Sequence, residues 1–286
     1  MATLRDIRRK ISSVRKTRQI TNAMKMVAAA KLRRAQENIT AARPYADKIL
    51  EVIGDLSARV DINAHPLLAQ QEGGKILLVV VTADRGLCGG FNANILRNTM
   101  TFMLDRQGKE ISFIIAGRKG RDFLRRRRFS IVKEYVNIFN ALSYTHGAAI
   151  GRDVIDAFLN HEADEVYIIY NEFRSIIQQR VTTRRLLPIT SQEIDVGESR
   201  IDFIYEPSPE AILGDLLNRY IEVQVYRALL ESLAGEYGAR MTAMDSATRN
   251  ASEMIDQLTL TMNKTRQASI TRELIEVVSG AEALKG

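Results

Sequence analysis

The sequence predicts an α/β protein in which a long antiparallel coiled coil, formed by the N- and C-terminal helices, has a Rossmann-like α/β domain inserted between its arms. Three observations predict it. Apolar residues recur at alternating threes and fours over the first sixty positions, the same spacing returns after residue 208, and between them β-branched runs alternate with helix-like segments. The expected domains are 1–60 (N-terminal coiled-coil helix), 61–207 (globular α/β body) and 208–286 (C-terminal coiled-coil helix).

The first arm steps through Leu4, Ile7, Ile11, Val14, Arg18, Thr21, Lys25, Ala28, Leu32, Ala35, Ile39, Ala42, Ala46, Ile49, Ile53, Leu56 and Val60. A repeat held this long near 3.5 residues marks a coiled-coil seam rather than a helix lying on a globular core. Pro44 is expected to bend this helix or break its hydrogen bonding locally. The second arm opens after "YEPSPE", where prolines and acids suit a helix start. It steps through Tyr226, Leu230, Leu233, Tyr237, Arg240, Met244, Ala247, Ala251, Met254 and Leu258.

Between the arms, "KILLVVVT" (75–82), "SFIIAG" (112–117), "EVYIIYNEF" (165–173) and "RVTTRRLLPI" (180–189) read as strands, the last two close enough for a hairpin. Helical segments are expected near 92–105, 118–127 and 147–161. Such alternation predicts a largely parallel core sheet.

If the arms leave the body level with one another, residue 60 faces about residue 208 and Leu4 faces roughly residue 264, since both helices rise equally per residue. The last twenty or so residues then have no partner in this chain. They nevertheless carry Ala268, Ile270, Leu274, Ile275, Val277 and Val278. A lone helix with such residues exposed calls for a sleeve from another protein.

Several function classes are disfavoured. The longest apolar run, "ILLVVV", is far too short to span a bilayer. One cysteine, Cys88, forms no intrachain disulfide framework, and three scattered histidines show no metal-ligand spacing. The loop "TADRGLCGGFN" resembles a phosphate cradle, but its glycines at 86, 89 and 90 are followed by no Lys-Ser/Thr. They also miss the G-x-G-x-x-G fingerprint, because Cys88 stands where the second glycine belongs. A tight strand-to-helix turn is the plainer reading. Cys88 lacks a nearby histidine to serve as base, and Asp84 and Asp105 are unpaired. No enzyme activity and no cofactor are expected.

Charge points to partners. Net charge is +7, and between residues 5 and 34 eleven Lys and Arg are opposed by Asp6 alone; a second basic cluster is Arg125–Arg128. A solvated coiled-coil face usually mixes both signs. A nearly acid-free stretch suits an acidic protein, an anionic membrane surface or nucleic acid.

Three segments, "IRRKISSVRKTRQITNAMKMVAAAKLRRAQ", "TADRGLCGGFN" and "NKTRQASITRELIEVVSGAEAL", closely resemble signatures of the gamma subunits of bacterial F-type ATP synthases, in order and over the full length. The resemblance implies a non-catalytic central rotor stalk. Its coiled coil would turn inside a hexamer of alpha and beta subunits, and its body would meet the epsilon subunit and the ring of c subunits. Proton flow through that ring would drive nucleotide chemistry on the beta subunits.

The resemblance carries Met24, Lys25, Arg240, Arg266 and Gln267 over as beta-subunit contacts. Tyr205 and Cys88 are carried over as c-ring or epsilon contacts. It implies no nucleic acid, membrane association through the c ring only, and a peripheral place on the cytoplasmic face of a bacterial inner membrane. The regulatory cysteine pair of chloroplast relatives is missing, so no thiol switch is expected. The basic helix leaves one alternative open, a coiled-coil arm that binds nucleic acid.

Overall fold

In the computed structural model the described residues are 3–57, 65–71, 73–175, 179–190 and 208–283. Helix α1 runs Leu4–Ser57. The body follows as β1 Lys75–Val81, α2 Phe91–Leu104, β2 Glu110–Ala116, α3 Arg118–Arg126 and β3 Ile131–Tyr135. Helix α4 Tyr144–Leu159, β4 Glu165–Phe173 and β5 Gln179–Leu187 complete it, and helix α5 is Pro209–Ala283. Two compact units result. One comprises residues 1–28 with 241–286, the other residues 29–240.

In the larger unit the sheet order is β3-β2-β1-β4-β5, with four parallel strands and β5 antiparallel to β4. The expected hairpin is therefore β4–β5. Alternate residues of β1 enter opposite cores. Ile76, Leu78 and Val80 join Phe91, Ile95 and Phe102 of α2. Leu77, Val79 and Val81 join α4, the end of α1 (Ala46 to Leu56) and α5 from Leu213 to Leu233. A parallel sheet covered on both faces needs an unbroken apolar run, which explains why "ILLVVV" shows no alternation.

Strand β3 is an addition to the sequence reading. Its segment "IVKEY" is a five-residue edge strand with Val132 and Lys133 exposed, so it lacks a buried run. Helix α4 starts three residues earlier than expected because Ser143 and His146 form a reciprocal cap. Pro44 sits exposed inside a helix that continues on both sides of it.

Helices α4 and α5 approach closely. A Cβ on Gly147 would lie 2.5 Å from Tyr226 Cβ, and one on Gly151 would lie 2.9 Å from Glu222 Cα. Within the same unit, Leu32, Ala35 and Ile39 of α1 pack on Leu230 and Ala234 of α5.

In the smaller unit, α1 and α5 pair antiparallel. Ile7 and Ile11 meet Ile255, with Val14, Leu258 and Met262 around them. Thr21 shares a 2.8 Å hydrogen bond with Thr248, and Lys25 donates to Asp245 at 2.6 Å. These pairs set the offset one or two residues beyond the expected one. The predicted seam of α1 is buried or half-buried except at Arg18, which is exposed, and at Val60, which lies outside the described residues. That of α5 is corrected at one step, since Ile255 is buried whereas Met254 is 44% exposed. The chain steps four residues from Ala251 where the sequence reading stepped three. Ile255→Ala is therefore expected to weaken the helix pair by roughly 2 kcal/mol and Met254→Ala by well under 1. Helix loss on heating, followed by circular dichroism, checks this; equal effects would put the seam at Met254.

Candidate functional site

The strand order reverses between β1 and β4, where Rossmann-type sheets leave a crevice for ligands at the carboxyl ends of the strands. Here that crevice receives helix α5. A Cβ on Gly235 would stand 3.5 Å from the Phe91 ring and 3.6 Å from Asn171, so the helix is seated against the end of β4 and the start of α2. The glycine loop joins the same seat. Arg240 donates to the Gly86 carbonyl at 3.1 Å and to the Glu236 carboxylate at 2.6 Å. The loop thus holds a helix where a nucleotide-binding relative of the fold would hold phosphate.

The loop is fastened from within as well. Asn92 accepts from the Ala83 N–H at 2.9 Å, and its amide donates to the Cys88 sulfur. One oxygen of Asp84 accepts from the backbone N–H groups of Arg118 and Asn137, both at 3.0 Å. Leu87, with φ at 63°, is turned outward and 66% exposed. Burial pushes the Glu236 carboxyl above its ordinary range, against the opposing pull of Arg240.

Cys88 is 2% exposed, packed near Phe91 and Ile95, and burial raises its thiol pKa. The exposed residues of its turn are Arg85, Leu87, Gly89 and Gly90. Arg240 has a side chain only 12% exposed and is committed to Glu236 and Gly86. Lys25 is paired with Asp245, which Arg249 also approaches at 2.9 Å, and these cations hold the Asp245 carboxyl below its ordinary range. Met24 is half-buried, and Arg266 and Gln267 are exposed. Tyr205 lies outside the described residues. The sequence reading missed Glu236 and Asp245. The first was visible as an acid four residues before Arg240 on one helix face.

Beyond Arg266, α5 exposes Ile270 (49%), Leu274 (61%), Ile275 (60%), Val277 (70%) and Val278 (60%). Five large apolar side chains on one short stretch of helix form a patch that solvent does not favour. Among the described residues no cluster of His, Cys, Asp or Glu is arranged to hold a metal, and no helix is long and apolar enough to cross a membrane.

Comparison with known proteins bears on this arrangement. A family profile described as ATP synthase matches residues 3–284. The ATP synthase gamma chain of Geotalea uraniireducens (strain Rf4) is 52% identical over 288 residues, covering all of both chains. That of Moorella thermoacetica is also 52% identical, over 287 residues with the same full coverage.

Among solved structures, a chain of the Tetrahymena thermophila mitochondrial ATP synthase central stalk and c ring superposes with a TM-score of 0.61. It is 29% identical, and the match covers 80% of this chain and 99% of that one. A chain of the Euglena gracilis mitochondrial ATP synthase shares the fold at a TM-score of 0.71 and 21% identity, covering 98% and 94%. With its body and paired helices matched from end to end by such relatives, the chain belongs to the ATP synthase gamma chain family.

Proposed function

We propose that this chain is the central rotor of an F-type ATP synthase, passing rotation from a c-subunit ring to a surrounding hexamer of alpha and beta subunits. Family membership supports this reading. The observation that carries it is the exposed apolar stretch Ile270–Val278, which needs a sleeve of other subunits. The chain supplies no catalytic group of its own; it biases the conformations of the beta subunits, which perform the nucleotide chemistry. The epsilon subunit and the c ring bind the body, and membrane association is peripheral, through the c ring, on the cytoplasmic face of a bacterial inner membrane.

Within this reading, Met24, Lys25, Arg266 and Gln267 meet the beta subunits by charge and shape. Arg240 belongs to the same level of contact but acts mainly by fixing the Gly86 loop. Tyr205 faces the c ring. The nearly acid-free stretch of α1 faces acidic subunit surfaces rather than nucleic acid.

Reconstitution with alpha and beta subunits tests the proposal. ATP hydrolysis is expected to rise when the chain is added. A chain ending before Arg266 is expected to lose coupled turnover by about tenfold, equivalent to about 1.4 kcal/mol. Lys25→Glu is expected to lose several-fold by reversing a half-exposed charge. Unchanged coupled turnover in the truncated chain would overturn the role given to the apolar stretch.

A further inference from the structure

The Arg125–Arg128 run is not used by the rotor reading, and the structure gives it a setting. Helices α2 and α3 lie side by side on one face of the sheet and border an open groove of about 580 Å³. From α2 the groove is lined by Ala93, Leu96, Arg97 and Met100. From α3 it is lined by Lys119, Phe123, Arg126 and Arg127. The α2 residues recur at i, i+3, i+4 and i+7, as do Lys119, Asp122, Phe123 and Arg126. Each helix therefore turns one continuous face to the groove. Leu96, Met100 and Phe123, buried or half-buried, form an apolar floor, and cations stand on both rims.

The charge is one-sided. Asp122 is the one acidic residue in the lining, and it is paired with Arg121 at 2.8 Å. Arg125 is occupied by Glu134 at 2.7 Å. Among the described residues no ion pair engages Arg97, Lys119, Arg126 or Arg127.

We infer that this groove docks an acidic amphipathic helix of a partner protein. Apolar residues of that helix would meet Leu96 and Met100, and its carboxylates would meet the cations of both rims. Two parallel-sided helices with an apolar floor suit a third helix laid between them. Nucleic acid is disfavoured because the one aromatic face in the groove, Phe123, is already covered by the Arg127 guanidinium at 3.7 Å, leaving no stacking platform. An anionic lipid surface would meet the exposed rim cations but leave the apolar floor between the two helices uncovered. The inference goes beyond the rotor reading and does not depend on which way the rotor turns.

The test uses the full chain assembled with alpha and beta subunits, which occupies the basic helix α1. A fluorescein-labelled synthetic helix of Leu and Glu, apolar at i, i+3, i+4 and i+7, is titrated by anisotropy. Its Lys-for-Glu counterpart, a short DNA duplex and phosphatidylglycerol vesicles are run in parallel. The acidic helix is expected to bind best, to weaken with salt, and to lose at least about tenfold in affinity with K119E/R126E. Met100→Glu, which alters the floor without touching the rim, is expected to lose affinity similarly and guards against a misfolded charge variant. The inference is overturned by no binding of the acidic helix, by equal binding of the Lys peptide, or by a preference for DNA or vesicles. Binding indifferent to both variants would also overturn it. ATP hydrolysis of the same assembly reports separately on the rotor reading.

Discussion

Gly117→Ala is expected to destabilise the α/β body by about 3 kcal/mol or more, the largest effect of any single methyl group added to it. Gly117 sits at φ 103° and ψ 141°, a region that is open to glycine and strained for other residues. A Cβ there would fall 2.1 Å from the Thr82 carbonyl oxygen. That oxygen belongs to backbone rather than to a flexible side chain, so the strand end would have to move. Little slack is available. The Gly117 N–H is bonded to the Tyr135 carbonyl at 2.8 Å, and the Thr82 N–H to the Ala116 carbonyl at 2.8 Å. The Thr82 hydroxyl also accepts from the Gly120 N–H at 2.8 Å. Faster amide exchange along β1 and β2 and a lower melting temperature in the full chain would report the effect. A loss below about 1 kcal/mol would mean that the turn relaxes more freely than its hydrogen bonds suggest.

The second large effect is expected at Arg240. Removing it as Arg240→Ala leaves Glu236, itself 6% exposed, without its cation and leaves the Gly86 carbonyl without its donor. Breaking a buried pair from one side costs about 3–5 kcal/mol when the orphaned charge must stay ionised. The pH dependence separates this from simple loss of packing. Burial, helped by Asp84, already raises the Glu236 pKa in the folded chain, while Arg240 and Lys31 oppose the rise.

Without Arg240 the folded pKa climbs further above the unfolded one. A carboxyl of that kind takes up its proton more readily folded than unfolded, so its stabilising share is complete below the unfolded pKa and is lost as pH rises through the folded pKa. The variant should therefore be closest to the parent in mild acid and fall away as pH rises towards neutrality and above. Arg240→Ala, Glu236→Gln in one chain should flatten that profile. A defect of constant size across pH would show that the guanidinium matters for packing alone.

The long helices were legible because their period persists for dozens of residues, as with Ile7, Ile11, Leu32 and Ile39, which all face inward. The strands β1, β2 and β4 were legible because burial on both faces demands unbroken apolar runs. Strand β3 was not, since an edge strand with Lys133 and Glu134 at its centre carries no such run. Spacing argued against a phosphate cradle, but it could not say what the loop holds. The Gly86–Arg240 bond joins residues far apart in the chain, and the sequence encodes no distance between them. Arg240 was legible as a seam residue and illegible as an anchor. Cys88 was named only through the family resemblance. That its side chain packs inward beside Phe91 was not legible, because a glycine-rich turn does not encode which way each side chain points.

The core that closes one face of β1 draws on Ala46 to Leu56 from one end of the chain and on Leu213 to Leu233 from the other. During synthesis the ribosome delivers the first set long before the second exists. Until residue 233 has emerged, Leu77, Val79 and Val81 lack the part of their covering that α5 supplies, and the inner stripe of α1 has no helix to lie against. Contacts of such wide sequence separation form late and leave apolar surface open meanwhile. The nascent chain thus passes through a prolonged sticky stage, and a cell that makes it needs a chaperone at hand or the neighbouring subunits already waiting.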